Sequence, residues 1–252
     1  MSIEACAGLL EKGDPDRFRA VMAAPANARG PLFAIFAFNL EVARAPWVSS
    51  EAAIGEMRLH WWADALEEIA QGGPVRRHEV LRPLADAIDR DGALLLADLV
   101  DARRRDLYAD RFADAADLNR YLMRTSGTLM WVAARAIGCA QAEPDIRSYG
   151  QAVGLANWFV AVPVLRARGR VPLPDDSLRE IQRVAEAGLH QLKEARRAIP
   201  RAARPATRSG WQAGRLLKSA AANPTAVIDG SLHIPEFSKR LSLIWTVLSG
   251  AP

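Results

Sequence analysis

The chain is poor in the residue types that announce most chemistries. Its 252 residues contain two cysteines, Cys6 and Cys139, far apart and with no CxxC. That spacing excludes a disulfide framework and a thiolate zinc site and leaves two idle thiols. The four histidines, His60, His78, His190 and His233, fall at no HxxxH or HExxH spacing, so no histidine-built metal centre is readable. Glycine-rich phosphate loops and the GxSxG elbow are missing as well. No apolar run approaches the ~18 residues of a membrane-spanning helix. The opening stretch, MSIEACAGLLEKGDPD, has neither a basic n-region nor an apolar h-region, so a cytoplasmic chain is expected. Stretches of alternating hydrophobicity and hairpin dipeptides are also lacking, which leaves no signal for strands.

Helical periodicity is what remains, and it runs the whole length. Asp14-Pro15 reads as an N-cap with proline at the first helical position. Asn27 opens a helix to about Ala45, which Pro46 ends or kinks. Ser49 or Ser50, with Glu51, starts the next, and Gly72-Gly73-Pro74 stops it. Helices are expected over 78–90 and 93–110, from Asp114 to about Ile137, over 144–166, over 176–199, and more weakly over 208–221 and 235–248. Residues 200–212, with Pro200, Pro205 and Gly210, read as a mobile connector. The expected fold class is all-α, one domain over residues 1–252.

Charge is uneven. Residues 1–165 carry 18 Lys/Arg against 22 Asp/Glu, and residues 166–218 carry 13 against 5. The basic block suits an acidic protein or an anionic membrane surface, or forms a solvated helix face. It has no interleaved aromatics and matches no nucleic-acid module, so nucleic acid is not an expected partner.

Two stretches lack charge on every side: LFAIFAFNL at 32–40 is uncharged and GQAVGLANWFVAVPVL at 150–165 carries no ionisable group. Such helices are buried. The row Gly150, Ala152, Gly154, Ala156 offers a small-residue surface for close helix contact. Asn39 and Asn157 are the isolated polar groups, and each either fixes a helix–helix register or faces a cavity. Pairs at DxxxD spacing, Asp106/Asp110 and Asp110/Asp114, sit among Arg103, Arg104, Arg105 and Arg111 and read as an ion-paired surface rather than a Mg²⁺ site.

Several separated segments resemble the squalene and phytoene synthases. Residues 31–44, PLFAIFAFNLEVAR, are similar to the first signature of that family, and residues 55–62, GEMRLHWW, to its next helix. Residues 118–129, LNRYLMRTSGTL, resemble its long central helix. Residues 149–157, YGQAVGLAN, lead into the second signature, which closes with RGRVPLP at 168–174. The resemblance covers about residues 14–200 in matching order. It implies an isoprenoid-synthase-type helical bundle around a central cavity, in which two aspartate-rich helices hold Mg²⁺ and thereby the diphosphates of two prenyl substrates.

The same comparison places the first motif's aspartates at Ala43, Arg44 and Trp47 and the second's at Ala161 and Leu165, and none is a carboxylate. What it implies here is a non-catalytic relative with no catalytic residues and no bound metal. Its cavity would be lined by Asn39, Ala43, Trp47, Asn157, Ala161 and Leu165 and hold an apolar or lipid-like molecule, with Arg168 and Arg170 placed to meet an anionic head group. Residues 38–43, 48–51 and 54–58 are most similar to the branch of the family that assists assembly of respiratory complex I, whose members also lack the aspartates. A respiratory-complex subunit or a membrane surface, met through the basic region 166–218 at the inner membrane face, is the partner this suggests. The alternative is an active prenyltransferase that joins prenyl diphosphates head-to-head with Mg²⁺ at a relocated site, for which Asp98, Asp101 and Asp106 are the nearby carboxylates.

Overall fold

The computed structural model describes residues 3–49, 51–108 and 110–250. Fifteen α-helices follow one another among these residues, and no strand occurs. They are α1 (Ile3–Gly13), α2 (Pro15–Met22), α3 (Ala26–Ala43), α4 (Ala45–Val48), α5 (Ala52–Ala70), α6 (Leu81–Ala87), α7 (Arg90–Arg103) and α8 (Ala115–Leu122). Then come α9 (Thr128–Ala136), α10 (Glu143–Ala167), α11 (Leu178–Ala198), α12 (Arg204–Thr207), α13 (Ala213–Ala222), α14 (Thr225–Asp229) and α15 (Glu236–Leu248). The all-α expectation holds.

Local chemistry accounts for most of the boundaries. The Asp14 carboxylate accepts the Arg17 N–H at 3.0 Å and so caps α2, with Pro15 at its first position. Asp114 caps α8 in the same way, through the Asp117 N–H at 2.8 Å. A carboxylate here satisfies an N–H that has no partner within the helix. Pro46 lies in the first turn of α4, just past the end of α3. Gly72, at φ +73°, turns the chain after α5.

Other boundaries differ from the sequence reading. Asn27 caps nothing, because α3 already begins at Ala26 behind Pro25. Glu51 precedes α5 without capping it and donates its own N–H to Ser49 Oγ at 3.1 Å; Ser50 lies outside the described residues. The helix expected over 78–90 ends at Ala87, since Ile88 is extended and Asp89 caps α7 through the Gly92 N–H at 2.8 Å. Residues 200–212 are no open connector. They form short helical turns whose Ala203, Ala206 and Thr207 are fully buried, and α12 packs on α9.

The apolar segment of α3 is buried from Leu32 through Asn39, all round the helix. Phe38 meets Trp62 of α5 edge-on, with ring centroids 5.2 Å apart. α5 packs on α7, α10 on α11, α11 on α13, and α1 and α6 on α3. Cys6 is buried in this core, and desolvation pushes its thiol up to about 11, so it stays protonated and inert.

The helix expected from Asp114 to Ile137 is interrupted. Between α8 and α9, residues Met123–Gly127 form one wide π-type turn. Thr125 Oγ1 donates to the Tyr121 carbonyl at 2.8 Å inside it. Gly150 of α10 packs on this turn so closely that a Cβ there would lie 2.7 Å from the Ser126 carbonyl oxygen and 3.0 Å from Gly127 Cα. Wide turns of this kind redirect side chains and recur at functional sites. This one brings Leu122, Thr125, Ser126 and Leu129 onto the wall of a cavity.

Candidate functional site

That cavity, of about 850 Å³, lies at the centre of the bundle. One wall is the end of α3 with α4, carrying Asn39, Ala43 and Trp47; the opposite wall is α10, carrying Asn157, Ala161 and Leu165. Arg168 and Arg170, in the loop after α10, complete the lining on that side. The structure thus sets these eight residues around one space, while Arg44, the remaining first-motif position, is not part of its lining.

α10 explains one departure from expectation. Its uncharged segment is not buried all round: Asn157, Val160 and Val164 are exposed, while Leu155, Ala156, Phe159 and Val162 are buried. Asn157, Val160, Ala161 and Leu165 line the open space, so a helix without charges need not be sheathed by protein when one side borders a cavity. Of the small-residue row, Gly150 and Gly154, one turn apart on one side of α10, are where the helix meets the wide turn, whereas Ala152 and Ala156 lie on the opposite side.

The arginine loop is fixed by two contacts. Trp158 Nε1 donates to the Pro172 carbonyl at 2.9 Å, and Arg170 Nη1 donates to the Tyr108 carbonyl at 2.6 Å. The Arg168 guanidinium lies 4.0 Å from the centroid of the Trp47 ring, which joins the loop to the α4 wall across the cavity mouth.

Sequence reasoning missed the polar floor. Tyr121 donates to Asp106 at 2.7 and 2.8 Å, and Arg103 Nη1 donates to both Asp106, at 3.0 Å, and the Tyr121 hydroxyl, at 2.9 Å. All three line the cavity. Burial pushes the Tyr121 phenol well above its ordinary value; Arg103 opposes this and the Asp106 charge adds to it, so the phenol stays protonated as a donor. Asp106 was expected on an ion-paired surface, and ion-paired it is, yet it faces inward. Phe112, Tyr121 and Trp158 stack mutually with centroids 5.4 to 5.7 Å apart, forming an aromatic corner beside this triad. No short-range pattern could have announced it, since the three rings come from three separate elements.

A second polar corner holds Asp16, which accepts from Arg19 at 2.8 Å, Gln212 at 2.9 Å and Lys239 at 2.9 Å. Burial pushes its carboxyl up, but the bonds from Lys239 and Gln212 and the Lys239 and Arg19 charges outweigh that and hold it below the usual carboxylate value. A carboxylate depressed by folding stabilises the protein fully above its unfolded pKa, and that contribution disappears as pH falls through the folded value. Acid melting scans from about pH 6 to pH 3 should therefore show a steeper loss of stability in the wild type than in Asp16→Asn. Equal slopes would show that the pair contributes nothing.

The family fold implies Mg²⁺, and the residues present do not fit it. The cavity carboxylates are Asp14, Asp16, Glu51, Asp106 and Asp110. Asp14 caps α2, Asp16 and Asp106 already face cations, and among the described residues no three His, Cys, Asp or Glu side chains converge as a metal-holding group. Mg²⁺ needs oxygen ligands in near-octahedral array, whereas these two walls offer one amide each, Asn39 and Asn157, among alkyl and indole groups. Of the relocated-site candidates, Asp106 lines the cavity but is ion-paired with Arg103 at 3.0 Å, whereas Asp98 and Asp101 do not line it and are ion-paired with Arg124 at 2.6 and 2.9 Å. Glu41 is tied to Arg58, also away from the cavity.

Comparison with known proteins agrees with this architecture. A family profile described as squalene/phytoene synthase matches residues 10–233. Among solved structures, a dehydrosqualene synthase in complex with ligand superposes with a TM-score of 0.79 at 16% identity, covering 98% of this chain and 95% of that one. Squalene synthase HpnC from Alicyclobacillus acidocaldarius superposes with a TM-score of 0.70 at 17% identity, covering 88% and 94%. Among curated proteins, the chain is 28% identical over 175 residues to NADH dehydrogenase (ubiquinone) complex I, assembly factor 6 of Homo sapiens, covering 68% of this chain and 52% of that protein. It is 29% identical over 178 residues to the homolog of that factor in Drosophila melanogaster, covering 66% and 52%. The chain spans about half the length of these curated relatives. Among the described residues no helix is long and apolar enough to cross a membrane.

Proposed function

The chain belongs to the squalene/phytoene synthase family, and we propose that it is a non-catalytic member of it, one that holds an apolar or lipid-like molecule in the central cavity and assists assembly of a respiratory complex. The observation that carries the reading is the chemistry of the two facing walls. Ala43 and Trp47 on one side and Ala161 and Leu165 on the other line the same space, at the positions where the family's aspartates would stand. Without oxygen ligands there, a divalent cation loses its hydration and gains nothing, and a diphosphate leaving group is not neutralised. An apolar occupant gains from the same surfaces, at roughly 25 cal/mol for each Å² buried.

The respiratory role rests on the curated relatives, which are assembly factors for complex I. We take residues 1–252 as one helical domain working in the cytoplasm at the inner membrane face. Its Arg168 and Arg170 are placed to meet an anionic group at the cavity mouth, and its basic region 166–218 to meet a respiratory-complex subunit or the membrane.

Deleting the gene in its host is expected to lower NADH:quinone oxidoreductase activity in isolated membranes severalfold, with recovery from a plasmid copy. Unchanged activity would refute the assembly role. The non-catalytic part is tested separately, by incubating purified protein with Mg²⁺ and labelled farnesyl or geranylgeranyl diphosphate; any hydrocarbon product would overturn it.

A further inference from the structure

We propose that α15 is a membrane-docking helix that lays its outer face into an anionic lipid bilayer. Phe237, Leu241, Ile244, Trp245 and Leu248 are between 52% and 78% exposed. At about 3.6 residues per turn they fall within roughly 100° of arc, one continuous apolar stripe on the outside of the molecule. Only Leu243 and Thr246 of this helix are buried. The helix is held down by polar bonds instead of a core. Arg204 Nη1 donates to the Gly250 carbonyl at 2.6 Å, Arg215 Nη1 to the Ser238 carbonyl at 3.2 Å, and Lys239 pairs with Asp16 at 2.9 Å.

Those bonds place the stripe beside positive charge. Arg204 and Arg215 belong to the basic block and attach to the two ends of α15. Arg240, on the helix itself, is exposed at the border of the stripe, and Arg201, Arg215 and Lys218 are exposed on the neighbouring segments. Glu236, the acid of α15, is neutralised by Arg19 and Lys239. A helix with Trp, Phe and Leu on one face and cations around it is the composition that settles in the headgroup region of anionic lipid. A second copy of the chain suits this face less well, because a two-fold contact would set each cationic border against its own equivalent. Leu232, His233, Ile234 and Lys239, which lead into α15 and form its first turn, also line the cavity. Docking on α15 therefore brings the cavity close to the lipid.

This deepens the membrane-facing part of the proposed function and does not depend on what the cavity holds. The test is sedimentation of the full chain with vesicles of phosphatidylcholine alone or with a third of phosphatidylglycerol. The wild type is expected to pellet with the anionic vesicles, to be released by high salt, and to bind phosphatidylcholine about tenfold more weakly. The Trp245→Ser, Leu248→Ser variant, checked for unchanged helical circular dichroism, is expected to lose binding about tenfold. Wild type left in the supernatant with anionic vesicles would overturn the proposal. So would a variant that binds as well as wild type, or a wild-type dimer that the variant splits without any vesicle binding. None of these results alters the outcome of the prenyl-diphosphate assay, so the two proposals fail separately.

Discussion

Arg103→Leu is expected to destabilise the protein by about 3 kcal/mol, because it strands a carboxylate inside the bundle. The Asp106 side chain is only 18% exposed, and Arg103 is the cation within reach at 3.0 Å. Removing one member of such a pair costs far more than the pair contributes, since the remaining charge keeps its desolvation penalty and loses its cation, with only the Tyr121 hydroxyl left as donor. In a chain of this size about 3 kcal/mol lowers the melting temperature by roughly 6–12 °C. The double variant Arg103→Leu, Asp106→Leu should recover about half of the loss, because no unpartnered charge remains. A thermal or urea melt of the four proteins in the cycle decides the matter. A single variant within about 1 kcal/mol of wild type would show that water already satisfies Asp106.

The second large effect concerns backbone contact. Gly150→Val is expected to cost about 3 kcal/mol or more, and Gly150→Ala about 1–2 kcal/mol net. Replacing a helical glycine by alanine normally gains up to about 1 kcal/mol in propensity. Here the new Cβ would lie 2.6 Å from Met130 Cβ and 2.7 Å from the Ser126 carbonyl oxygen. A backbone oxygen cannot swing away as a flexible side chain can, so overpacking, at about 1–3 kcal/mol, outweighs propensity. Gly8 in α1 supplies the control, since a Cβ there meets nothing within 4 Å. Gly8→Ala should stabilise by about 0.5–1 kcal/mol. Opposite signs for the two glycine-to-alanine changes in urea melts are the expected result, and a stabilising Gly150→Ala would refute the close-contact argument.

Gly150 also shows what was legible in the sequence. Small residues one turn apart in an uncharged helical segment have few uses besides close approach, so the contact was readable before its partner was known. The caps at Asp14 and Asp114 were readable for a similar reason, because a carboxylate followed by a helical pattern has one nearby donor set to satisfy. Asn39 and Asn157 could be singled out as polar exceptions, but whether they faced protein or open space depended on a tertiary arrangement that periodicity does not carry. The wide turn at Met123–Gly127 left no trace, since every residue in it is compatible with an ordinary helix. The triad of Arg103, Asp106 and Tyr121 was hidden because Asp106 looked like one more charge in an arginine-rich run. Only the fold turns it inward and sets it under a tyrosine fifteen positions away.

The Arg168–Trp47 stack joins the arginine loop to the α4 wall across the cavity mouth. A cation over an exposed indole is worth about 0.5–1 kcal/mol, so the Arg168 side chain is held on Trp47 by no more than about fivefold, while the loop itself stays fixed through Trp158 and Arg170. A clasp this weak is undone by thermal agitation alone. For the apolar molecule proposed above, this contact by itself therefore sets no high barrier to entry or release.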